Sequence, residues 1–127
     1  VNRPLNILLI EDSATYILKA TIYLEELGHR MTVAESAERG IEIGRELHPD
    51  VILLDIHLPG MNGYEAARAI RQDSVLAHTP VVALTNSQPV EKQYIQHGMG
   101  SGFTGHTEKP QSKEGFAFLL DAYLGDD

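Results

Sequence analysis

Apolar residues along the chain alternate between two rhythms. Short, nearly continuous runs are bounded by polar residues, and longer stretches return to an apolar residue at three- and four-residue intervals. The runs Ile7-Leu8-Leu9-Ile10, Val51-Ile52-Leu53-Leu54 and Val81-Val82-Ala83-Leu84 have no polar alternation, the habit of strands buried on both faces of a parallel sheet. They predict strands over 5–10, 51–54 and 80–84, with a shorter one near 30–34 and a glycine-rich fifth strand region within 98–109. Between them the helical rhythm places Ile17, Ala20, Leu24 and Leu27 on one face, with Ser13 as cap and Gly28 as stop. A second helix carries Ala37, Ile41, Gly44 and Leu47 after the cap Ser36, and Pro49 ends it. The Pro59-Gly60 turn leads into a third helix over 63–72, Pro89 suits the first turn of a fourth that ends at Gly98, and Ser112 caps a last one carrying Phe116, Leu119, Leu120, Tyr123 and Leu124. Five strand-helix units in succession predict an α/β architecture, a parallel sheet with helices on both faces.

With 127 residues, 43% of them hydrophobic, the chain is expected to form one compact domain over 1–127. The formal net charge of -8 argues against direct binding of nucleic acid or of an anionic membrane. Cysteine is absent, which excludes disulfides, thiolate metal sites and thiol nucleophiles and permits a cytoplasmic location. No apolar stretch approaches the roughly 18 residues of a membrane span, and no signal peptide is expected.

Chemistry concentrates at the ends of the apolar runs. Glu11 and Asp12 follow the first strand, Asp55 the third, Thr85 the fourth, and Lys109 with Pro110 the fifth. In open α/β sheets that edge is where ligands bind. Three carboxylates brought together there repel unless a divalent cation compensates them, and a hard oxygen set suits Mg²⁺. A carboxylate nucleophile, acids for a metal, a hydroxyl and a cation are the groups phosphoryl transfer needs.

In that order and spacing, with Asp55-Ile56-His57-Leu58-Pro59-Gly60-Met61-Asn62-Gly63 as the most specific stretch, the chain resembles the receiver domain of two-component response regulators over nearly its whole length. The resemblance implies a flavodoxin-like doubly wound (βα)5 sandwich with sheet order 2-1-3-4-5. It implies that Asp55 takes a phosphoryl group from a partner histidine kinase or histidine phosphotransfer protein. Asp12 and Asp55 would bind Mg²⁺ directly, Glu11 partly through water, and His57 through its backbone carbonyl. Thr85 and Lys109 would hold the phosphoryl oxygens, and the Lys109-Pro110 bond would be cis. The output face would be the fourth helix, fifth strand and last helix, offered to a downstream effector or to a second copy in a homodimer. Such a protein is a switch that catalyses its own phosphorylation and dephosphorylation and turns over no outside substrate.

The segment 98–109 is a few residues long against the family pattern, so the aromatic switch position falls on His106 by counting back from Lys109 and on Phe103 by local likeness. Asn86 replaces the usual small residue after the threonine, and Asn86 and the His57 side chain are expected to tune phosphoryl lifetime. The alternative is a pseudo-receiver of the same fold that binds partners without being phosphorylated. Gly100-Ser101-Gly102-Phe103-Thr104-Gly105 matches a dinucleotide fingerprint in letters only, since it does not run from a strand into a helix.

Overall fold

A computed structural model of the protein describes residues 1–86 and 102–125. The expected helix from Pro89 to Gly98 lies outside the described residues. Five parallel strands, β1 (Asn6–Ile10), β2 (Arg30–Ala34), β3 (Val51–Asp55), β4 (Val81–Thr85) and β5 (Gly105–Glu108), form one sheet in the order β2-β1-β3-β4-β5. The described helices are α1 (Ala14–Glu26), α2 (Ala37–Leu47), α3 (Gly63–Gln72) and α4 (Lys113–Leu124). The parallel sheet with helices on both faces expected from the apolar rhythm, and the strand order implied by the resemblance, are the observed ones.

Every residue of β3 and β4 is buried, which is why neither run alternates with polar residues. The two faces of the sheet gather separate cores. On one, Leu8, Ile10, Ile52 and Leu54 meet Ile41 of α2 and Ala66, Ala67 and Ile70 of α3. On the other, Ile7, Leu9, Leu53 and Leu84 meet Ala20 and Leu24 of α1 and Phe116, Leu119 and Leu120 of α4. The expected caps Ser13, Ser36 and Ser112 each accept a backbone N–H of the first turn. Gly28 follows the end of α1 at φ +94°, a left-handed conformation that glycine adopts without strain.

Arg71 lies in the last turn of α3. Its guanidinium fork donates to the carbonyls of Gly102, Ala77 and Thr79 at 2.8, 3.2 and 2.7 Å and to Thr104 Oγ1 at 3.3 Å. Thr104 Oγ1 in turn accepts the N–H of Val81, so one side chain ties α3 and the turn before β4 to the segment entering β5. Arg71→Ala strands those carbonyls and is expected to lower the unfolding free energy by about 2–3 kcal/mol in urea titration. Arg71→Lys is expected to recover only part of the loss, because an ammonium lacks the planar fork.

Candidate functional site

Parallel pairing brings the polar strand ends to one edge. Ile10 pairs with Leu54 and Asp55 with Leu84, so Glu11, Asp55 and Thr85 leave the sheet at nearly the same level. Glu11, Asp12 and Asp55 each present a carboxylate oxygen within 4.8 Å of the others. Glu11 and Asp55 are buried and Asp12 is exposed.

Each acid is held differently. Glu11 Oε2 accepts the backbone N–H groups of Asp12 and Ser13, both at 3.0 Å. Its Oε1 lies 2.8 Å from Lys109 Nζ, an ion pair without a directed hydrogen bond. Asp55 Oδ1 accepts the N–H of His57 at 3.0 Å, and Asp55 Oδ2 lies 3.8 Å from Lys109 Nζ. One ammonium thus faces two buried carboxylates and offsets part of their repulsion.

Lys109 is carried to the acids by its own backbone, whose N–H donates to the Thr85 carbonyl at 2.9 Å. The Lys109-Pro110 bond is trans, which corrects the expected cis bond. Trans is the intrinsically favoured isomer of such a bond by about 0.5–1 kcal/mol, and the lysine reaches both acids from it. Thr85 is buried and donates its hydroxyl to the Thr107 carbonyl at 3.2 Å. Asn86 is exposed and, with Thr85, Glu108, Lys109 and Gln111, lines a cleft of about 200 Å³ beside the lysine.

The loop between Asp55 and α3 is built as tightly as its motif suggests. Asn62 and Glu65 form a reciprocal capping box, and Gly63 N–H donates to the Ile56 carbonyl at 3.2 Å. Gly60 takes φ +76°. The His57 side chain is exposed, while its backbone faces the acid.

The two candidate switch residues are separated. His106 lies within β5, opposite Ala83, two residues along from the strand's Thr85 level. Phe103 precedes the strand, buried against the edge of the Tyr64 ring at 5.7 Å, at the end of β5 remote from the acids.

Tyr16 is the site residue that the sequence reading missed. It is 6% exposed, its hydroxyl donates to the Pro110 carbonyl at 3.0 Å, and Lys109 Nζ stands 4.9 Å from its ring centroid. Burial first, then the charges of Glu11 and Asp55, push its phenol well above the usual range and keep it a donor. Its spacing of four from Ala20, on the buried stripe of α1, was the available signal.

A doubly wound parallel sheet with three carboxylates and a lysine at its carboxyl edge is the arrangement of a receiver domain. The chain belongs to the response regulator receiver domain family, whose model matches residues 7–119. It is 34% identical over 119 residues to Protein PilH of Pseudomonas aeruginosa, covering 93% of this chain and 96% of that one. To the polar-differentiation response regulator DivK of Brucella ovis it is 30% identical over 122 residues, covering 95% and 97%. Among solved structures it is similar to the receiver domain of the sensor histidine kinase PA1611 from Pseudomonas aeruginosa, crystallised with a magnesium ion coordinated in the active site cleft (TM-score 0.85, 25% identity, 98% and 100% covered). It is likewise similar to the chemotaxis response regulator CheY4 of Vibrio cholerae (TM-score 0.85, 26% identity, 96% and 100% covered). Among the described residues no helix is long and apolar enough to cross a membrane.

Proposed function

We propose that this receiver domain is a phosphoacceptor switch in which Asp55 takes a phosphoryl group from a phosphohistidine on a kinase or phosphotransfer protein. The observation that carries the reading is the gathering of Glu11, Asp12, Asp55 and Lys109 at one edge, although β1, β3 and β5 are far apart in sequence. Asp55 Oδ2 is the nucleophile in this reading, because Oδ1 is engaged by the His57 N–H. As the new O–P bond forms, the P–N bond of the donor breaks and its imidazole leaves with the electron pair.

The donor set fits Mg²⁺. Mg²⁺ takes hard oxygen ligands and keeps several waters, and three carboxylate oxygens lie here within 4.8 Å of one another. Asp12, Asp55 and the His57 carbonyl would hold the ion, and Glu11, whose oxygens are already engaged, would reach it through water. When bound, Mg²⁺ supplies positive charge against the carboxylates and the incoming phosphoryl oxygens. Lys109, whose Nζ lies 3.8 Å from Asp55 Oδ2, would supply a second positive charge. Thr85 would exchange its bond to the Thr107 carbonyl for one to a phosphoryl oxygen, and His106 in β5 is the nearer residue to follow it. The output surface then includes β5 and α4, offered to an effector protein.

Acetyl phosphate with Mg²⁺ is expected to add one phosphoryl group by intact mass, with no addition to Asp55→Asn and none in excess EDTA. An unmodified wild type would point to a phosphorylation-independent interaction module, and an equally modified Asp55→Asn would remove Asp55 from the role.

A further inference from the structure

The Lys109 ammonium has to reach Glu11 across the sheet, because β3 and β4 lie between β1 and β5. Three interstrand spacings amount to about 14 Å, so no ladder hydrogen bond ties the β1 loop to the β5 loop. One side chain in the helix layer bridges that gap. Tyr16 sits in the first turn of α1, its N–H on the Ser13 cap, and its hydroxyl donates to Pro110 on the far side.

The geometry points to Tyr16 as a positioning residue for Lys109: its hydroxyl fastens the lysine's loop and its ring face holds the ammonium between Glu11 and Asp55. The ring is itself braced. Its centroid lies 6.4 Å from that of Phe116, a fully buried residue of α4 that also meets Tyr23 at 6.3 Å. An aromatic face attracts a cation through its quadrupole and, unlike a carboxylate, adds no negative charge to a crowded acidic cup. The hydroxyl stays protonated, since burial and the neighbouring acids disfavour the phenolate. A flexible lysine stem would otherwise sample many rotamers, and preorganising the charge is what lets it act on a phosphoryl group as it arrives.

This inference rests on the proposed phosphoacceptor role, and its test is built to tell the two apart. In wild type and Tyr16→Phe the ring current is expected to shift the Lys109 Cε protons upfield in the NMR spectrum, and in Tyr16→Leu the shift disappears. Phosphorylation by acetyl phosphate with Mg²⁺ is expected to slow by about threefold in Tyr16→Phe and about tenfold in Tyr16→Leu. In a Lys109→Met background the same tyrosine substitutions are expected to change the rate by less than about twofold, because the group they position is gone. Equal slowing in both backgrounds would overturn the inference, as would wild-type rates in the folded Tyr16 variants. Should Tyr16→Leu fail to fold, Tyr16→Phe, which keeps the ring packing, carries the same comparison. A wild type that takes up no phosphoryl group would refute the proposed function while leaving the Lys109 shift to decide the placement.

Discussion

Lys109→Met is expected to lower stability and activity together, and Mg²⁺ is expected to restore only the first. The lysine stands 2.8 Å from Glu11 Oε1 and 3.8 Å from Asp55 Oδ2, and both carboxylates are buried. Methionine keeps most of the stem's volume and deletes the charge. Two buried acids then face each other with no cation, and removing one partner of such a pair costs about 3–5 kcal/mol. The lysine is partly exposed, which lets water replace some of the lost charge, so we expect the lower end of that range in EDTA. Denaturant midpoints measured with and without millimolar Mg²⁺ check it. The cation should recover more stability in the variant than in wild type, because it screens the same carboxylates. Phosphorylation should remain slower by about 10²–10³, since no metal on the acid side replaces a charge placed at the phosphoryl oxygens. An unchanged midpoint in EDTA would mean that the lysine contributes nothing net to the buried acids.

Gly63→Ala is expected to damage the site without touching any charged group. A Cβ at Gly63 would lie 2.6 Å from Ile56 Cα, a backbone atom one residue from Asp55. Side chains can rotate away from such a clash, but the main chain at Ile56 is fixed by β3 on one side and by the Gly63 N–H bond to its carbonyl on the other. Either α3 withdraws or the Ile56-His57 turn shifts, and the second option misplaces the His57 N–H that holds Asp55 Oδ1. Overpacking of this kind costs about 1–3 kcal/mol, and backbone displacement takes it toward the upper end. We expect Gly63→Ala to lose about 3 kcal/mol in urea titration and to be phosphorylated about tenfold more slowly by acetyl phosphate. Gly60→Ala gives a useful contrast, because that position is strained by φ +76° while its nearest obstacle is the Glu38 side chain at 3.5 Å. It should lose stability with a smaller change in rate.

Much of this was legible in the order of residues. Buried strands have no solvent-facing side to alternate with, so β1, β3 and β4 announced themselves as apolar runs, and a polar residue at the end of each marked the edge. Ser13, Ser36 and Ser112 were readable as caps because capping is a contact within three residues of the helix start. The Pro59-Gly60 turn into α3 was readable for the same reason: the turn, the Asn62-Glu65 capping box and the close approach at Ile56 all lie within the eleven positions from Asp55 to Glu65.

Among the described residues the sequence by itself determined the four helices, the first four strands, the parallel sheet they form and the set of groups at its carboxyl edge, because local periodicity and strand ends are short-range properties of the chain. Tertiary structure alone decided how Lys109 divides between Glu11 and Asp55, that its bond to Pro110 is trans, that Thr85 points its hydroxyl at Thr107, and that His106 and not Phe103 lies within β5. It also decided the tasks of Tyr16 and Arg71, whose partners lie 94 and 31 residues away at Pro110 and Gly102. Contacts at that separation are fixed only when sheet order brings distant loops together, and no local pattern of hydrophobic and polar residues records which side chain will span them.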